Sequence, residues 1–131
     1  YEAAAELTRA WEHAHNFELY EDVLPTLARL RAHGLKLALV SNTARDLDLF
    51  VAHHALDVDA AVSSRTHGKV KPHESIFRAA LDRLGIGPVD AVMVGDSPED
   101  DIDGARALGI RPFLIEQFAG LQRRHRRPHC L

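Results

Sequence analysis

The chain has 131 residues and a formal net charge of −3, with 46% apolar and 27% charged residues, a composition that excludes a disordered chain. Its length suits one domain that buries about two-thirds of its unfolded surface, and its single cysteine excludes an intramolecular disulfide or a multi-cysteine metal site. Apolar runs of about six residues fall far short of a membrane span, and the acidic start Tyr1–Glu6 has no basic n-region, so a soluble cytoplasmic protein is expected.

Residues 2–17 open the chain with a helical stripe of Ala3, Leu7, Ala10, Trp11 and Ala14. Residues 22–33 repeat the period through Val23, Leu27 and Leu30, with Asp22 as the expected N-cap, Pro25 in the first turn and Gly34 as the stop. Leu35–Val40 is nearly continuous apolar sequence, which suits a strand buried on both faces. A helix is expected at about 45–54, a short strand at Ala60–Val62, a loop over Thr66–Pro72 and a strong helix at 74–84 ended by Gly85. Ala91–Val94 reads as a second buried strand, followed by a helix at about 100–108 with a Gly109 stop. Pro112–Ile115 reads as a further strand and 117–126 as a last helix.

Strands alternating with helices imply an α/β fold, a doubly wound parallel sheet covered on both faces. Ligands of such folds sit beyond the carboxyl ends of the strands. Those ends are followed by Ser41-Asn42-Thr43, by Ser63-Ser64 and the loop carrying Lys69 and Lys71, and by Gly95-Asp96-Ser97-Pro98-Glu99-Asp100-Asp101. Hydroxyls, a lysine and clustered carboxylates therefore converge on one edge.

Each group has a functional and a plain reading. Ser41 offers a hydroxyl and nearby backbone N–H groups to an anion, whereas Asn42 or Thr43 could simply cap a helix. Lys71 suits neutralisation of a phosphate, on a turn stiffened by Pro72, or is an ordinary loop lysine. Glu99, Asp100, Asp101 and Asp103 complement a helix dipole. Asp96, directly after an apolar strand, suits Mg²⁺, which needs only one or two protein carboxylates, with Asp101 able to support the ion or its waters.

Other chemistries lack their patterns. The sequence holds neither G-x-x-x-x-G-K-[ST] nor G-x-G-x-x-G nor G-x-S-x-G. His13 with His15, and His53 with His54, lack the i, i+4 spacing of a helical zinc pair. A receiver-like domain would place its acid pair early and its lysine last, the reverse of the order here. Arg123, Arg124, Arg126 and Arg127 form a basic tail, but the rest of the chain carries 12 basic against 19 acidic side chains, a net −7. That acidic body argues against a nucleic-acid partner, and the tail reads as a solvated terminus.

In order, Leu39-Val40-Ser41-Asn42-Thr43, then Lys69-Val70-Lys71-Pro72 with His73–Phe77, then Val92-Met93-Val94-Gly95-Asp96-Ser97-Pro98-Glu99-Asp100-Asp101 with Ile102–Arg106, closely resemble the haloacid dehalogenase superfamily. The likeness is greatest to its phosphatase-like branch with a helical cap, over about residues 19–116. The resemblance implies a Rossmann-like core at 19–131 and a remnant of the cap, its last helix, at 1–18. It implies that Ser41 hydrogen-bonds a phosphoryl group, with Asn42 beside it as a substrate contact, and that Lys71 steadies the phosphoryl oxygens. Asp96 would ligate Mg²⁺, and Asp101 would be the second acid, with Asp100 as its alternative.

The family's first motif, D-x-D-x-[TV] on the central strand, supplies a nucleophilic aspartate and a general acid/base, and no segment here matches it. Asp46-Leu47-Asp48 has the spacing but lies in a predicted helix, and Asp57-Val58-Asp59 precedes a strand instead of ending one. By the family pattern, roughly 80–100 residues upstream of Tyr1 are lacking. The first-motif strand would lie between the strands that end at Ser41 and at Asp96, so the sheet is expected to be incomplete and open to self-association. The expected function is Mg²⁺-dependent hydrolysis of a small phosphorylated metabolite through an aspartyl-phosphate in the complete enzyme. The alternatives are a non-catalytic module that retains weak Mg²⁺ or phosphate binding and, within the family, a haloacid dehalogenase.

Overall fold

A computed structural model describes residues 18–116. The predicted helices at 2–17 and 117–126, the cap remnant and the arginine-rich tail lie outside the described residues. Helix α1 spans Val23–Ala32, strand β1 Ala38–Ser41, helix α2 Leu47–His53 and strand β2 Ala60–Ser63. A single turn, α3, spans Ser64–His67 and takes in the first two residues of the expected loop, and helix α4 spans Glu74–Leu84. Strand β3 follows at Val92–Gly95, then a π-helical turn over Pro98–Asp103, one α-turn α5 at Gly104–Ala107 and strand β4 at Arg111–Leu114.

Local chemistry sets several of these boundaries. Asp22 makes no side-chain cap, while Asp46 accepts from the Leu49 N–H and starts α2, as an N-cap acid does. Ser63 accepts from the Thr66 N–H and starts α3. His73 Nδ1 accepts from the Ser75 N–H at the start of α4. Gly34, Gly85 and Gly109 follow their helices with positive φ, as expected from the sequence. Strand β1 begins three residues later than Leu35, and Leu35 itself is exposed.

Both strand pairs are parallel. Strand β1 pairs with β2 in the register Ala38↔Ala60 to Ser41↔Ser63, and β3 pairs with β4 from Val92↔Arg111 to Gly95↔Leu114. Among the described residues the two pairs share no ladder: they form two separate two-stranded sheets, not one. Both nevertheless lean on one layer. Val40 of β1, Val62 of β2 and Met93 of β3 pack on a common core with Ile76, Phe77, Ala80 and Leu81 of α4. Side chains alternate along a strand, so Leu39 and Ala61 face the other way, into a second core with Val23, Leu27, Leu47 and Phe50.

The β1–β2 pair is therefore covered on both faces, as the sequence predicts. The β3–β4 pair is not. Val92, Val94 and Phe113 are 56%, 54% and 52% exposed, so the expectation of a second fully buried strand is corrected. Within 18–116, helices cover only the Met93 face of β3.

Candidate active site

The carboxyl ends of β1 and β3 hold Ser41 and, one residue past Gly95, Asp96. Between them stands the loop that carries Lys71. Three side chains tie this edge together. Asn42 Oδ1 accepts from the Lys71 backbone N–H at 2.7 Å, and Asn42 Nδ2 donates to the Lys71 carbonyl at 3.1 Å. Lys71 Nζ donates to Asp101 Oδ1 at 2.5 Å, and Asp101 Oδ2 accepts from the Ser97 N–H at 3.1 Å. The path Asn42–Lys71–Asp101–Ser97 thus joins the end of β1 to the loop after β3, although the two strands are not paired.

The Lys71–Asp101 pair is largely withdrawn from water, with side chains 11% and 5% exposed. A buried charge needs a partner and further hydrogen bonds to be tolerated. Asp101 has both, in Lys71 and the Ser97 N–H. Its placement depends on two close approaches. A Cβ at Gly95 would lie 2.2 Å from Asp101 Oδ2, so only glycine lets the carboxylate fold over the end of β3. A Cβ at Gly104 would lie 2.8 Å from Phe77 Cε2 and 3.1 Å from Pro72 Cβ, so glycine also lets the α5 turn press against α4 and the Lys71 loop.

The bend shows in the backbone. The Ile102 N–H donates to the Ser97 carbonyl, a π-type bond, where the sequence suggests an ordinary helix from about 100. Asp101 points inward in this turn. Its alternative, Asp100, instead gives its backbone N–H to Ser97 Oγ.

The residues after β1 commit two backbone N–H groups internally. The Thr43 N–H donates to Ser64 Oγ at 2.9 Å, and that hydroxyl donates back to the Thr43 carbonyl at 3.2 Å. The Arg45 N–H is taken by Thr43 Oγ1. Neither N–H is left for a ligand, and Asn42 caps no helix. Ser41 borders a shallow hollow with Thr43, Arg45, Leu47 and Phe50. Neither the Ser64 clamp nor the place of Arg45 follows from a sequence motif. Ser64 carried a signal, standing directly after a strand end.

The two other D-x-D segments are spent elsewhere. Asp46 caps α2. Asp57 and Asp59 both bind Arg31, at 3.1 and 2.7 Å, before the first residue of β2 and so at the opposite edge from Ser41. The hydrogen bond from Arg31, then that from the Leu37 N–H, hold the Asp59 carboxyl below its ordinary value. The same two carboxylates raise the Arg31 guanidinium further above its already high value.

The carboxylates at the Lys71 edge fit Mg²⁺ only as part of a site. Asp96 is exposed, without a hydrogen-bond partner among the described residues, and is a hard oxygen donor free to serve a cation. Asp101 already spends one oxygen on Lys71 and the other on Ser97. Among the described residues no group of three or more His, Cys, Asp and Glu stands together as a metal cage. No helix among them is long and apolar enough to cross a membrane.

Comparison with known proteins places this arrangement. The family model of haloacid dehalogenase-like hydrolases matches residues 3–109. A phosphoserine phosphatase of Thermus thermophilus is 35% identical over 123 residues, covering 88% of this chain and 48% of its own. A crystal structure of a HAD phosphatase from Thermococcus onnurineus superposes with a TM-score of 0.73 at 33% identity, over 77% of this chain and 48% of that one. A 2-haloacid dehalogenase from Pseudomonas syringae pv. Tomato superposes with a TM-score of 0.66 at 32% identity, over 74% and 41%. The chain thus spans about half the length of the relatives it matches.

Proposed function

The chain belongs to the haloacid dehalogenase-like hydrolases, and on that premise we propose that it carries the Ser41–Lys71–Asp96 half of a phosphomonoester hydrolase site. The observation that carries the reading is the path Asn42–Lys71–Asp101–Ser97, which holds the Lys71 ammonium between the carboxyl ends of two strands not paired with each other. In this reading the Lys71 ammonium neutralises charge on the phosphoryl oxygens. The Ser41 hydroxyl donates to one of those oxygens. Asp101 keeps Lys71 aimed, and is a positioning acid before it is a metal ligand.

Asp96 would hold Mg²⁺ at the end of β3, with Asp101 able to hold one of its waters; the ion when bound polarises the phosphoryl oxygens. The attacking carboxylate belongs on a further strand between β1 and β3, where the described residues leave both edges open. The substrate is a small phosphorylated metabolite and the compartment the cytoplasm. Phosphatases among the relatives, and the free Asp96 carboxylate at the strand end, favour this reading over metal-independent dehalogenation.

The test is a titration of the ¹⁵N-labelled chain with orthophosphate, with and without Mg²⁺. The expected shifts centre on Ser41, Lys71 and Asp96, and Asp96→Asn removes the Mg²⁺-dependent part. Shifts absent from this edge, or centred on Arg31 and Asp59, would overturn the assignment.

A further inference from the structure

Asn42 follows Ser41 at the end of β1 and is the natural candidate for a substrate contact, yet the structure commits its side chain elsewhere. Its Oδ1 takes the Lys71 N–H at 2.7 Å and its Nδ2 gives to the Lys71 carbonyl at 3.1 Å, across 29 residues of sequence. One primary amide thereby satisfies the donor and the acceptor of a single peptide-bearing residue, as a neighbouring strand would. Lys71 lies outside any strand or helix, in a turn closed only by the His73 N–H donating to the Val70 carbonyl at 2.9 Å. Its side chain is tied separately, by Asp101.

From this geometry we infer that Asn42 is a positioning residue: it sets the main chain of Lys71, and thereby where the ammonium stands, instead of binding substrate. Two anchors, one on the backbone and one on Nζ, leave the lysine little freedom to follow a ligand. The phosphate-facing role of Lys71 rests on the function proposed above; the anchoring by Asn42 does not.

The experiment is amide hydrogen exchange by NMR on the whole chain, for the wild type, Asn42→Ala and Asn42→Asp, followed by an orthophosphate titration of each. Asn42→Ala removes both hydrogen bonds, and loss of the one to the Lys71 N–H is expected to speed exchange there by about five- to tenfold, with Val40, Val62 and Ala80 unchanged. Asn42→Asp keeps an acceptor for the Lys71 N–H but sets its second oxygen against the Lys71 carbonyl, so its Lys71 exchange is expected to fall between the wild type and Asn42→Ala. A purely structural role would not give that partial rescue. Unchanged Lys71 exchange in Asn42→Ala overturns the inference. So does equal acceleration at Val40, Val62 and Ala80, or Lys71 exchange in Asn42→Asp as fast as in Asn42→Ala. The titration separates the two claims: a wild type that shows no phosphate shifts counts against the proposed function, while the exchange result still decides the role of Asn42.

Discussion

Lys71 and Asp101 form a pair whose loss on one side is worse than its loss on both. Their side chains are 11% and 5% exposed, so removing either leaves a charge without water or partner. Lys71→Met is expected to destabilise the chain by about 3–5 kcal/mol in a denaturant melt, and the double change Lys71→Met with Asp101→Leu to recover most of it. A single change that costs nothing would mean that Asp101 is hydrated and the pair is not buried in solution. Gly95→Ala acts on the same carboxylate from below. The new Cβ would overlap Asp101 Oδ2, so a loss of about 1–3 kcal/mol is expected, with weakened phosphate shifts at Lys71. Lys71 stands out in the sequence beside Pro72, whereas Asp101 is singled out from Asp100 only by the family resemblance. The Asn42 contact is not legible there, since only folding brings residues 29 positions apart into register.

At the scale of elements, the clip between α1 and β2 has a definite pH dependence. Arg31 binds Asp57 and Asp59, and Asp59 also accepts from the Leu37 N–H, which lowers the Asp59 pKa in the folded chain. A depressed carboxylate pKa contributes stability that is complete above the unfolded value, about pH 4, and is lost as pH falls through the folded value. The stability gap between wild type and Arg31→Gln is therefore expected to be present at neutral pH and to close in acid below the ordinary aspartate range. A gap that persists unchanged there would contradict the clip. Helix α4 is the opposite case, held by packing: Ile76 is fully buried, and Ile76→Ala is expected to cost about 2–5 kcal/mol. Its bounds, Glu74–Leu84, follow from apolar period and Gly85 alone. The segment from 98 to 107 does not, because Asp101 must turn back over Gly95, and that demand converts an expected helix into a π-turn and one α-turn.

For the molecule as a whole, the informative feature is what the two strand pairs share. They lean on one core through Val40, Val62 and Met93 and are linked at one edge through Lys71, yet among the described residues they exchange no strand hydrogen bonds. The alternation of strands and helices, and hence parallel pairing, is legible in the sequence, whereas a strand between the pairs is only what the family resemblance implies. The exposure of Val92, Val94 and Phe113 is not legible, because an apolar strand reads as buried whether or not its cover is described. Open backbone edges favour pairing with a further strand. The most direct measurement is Mg²⁺-dependent phosphate release from an aryl phosphate, by the chain alone and by the chain co-expressed with a family segment that bears the D-x-D strand. The account predicts no turnover alone. It predicts turnover with the segment that is lost on Asp96→Asn. Mg²⁺-dependent turnover by the chain alone that vanishes in Asp96→Asn would contradict it, since the site would then be complete without a strand between β1 and β3.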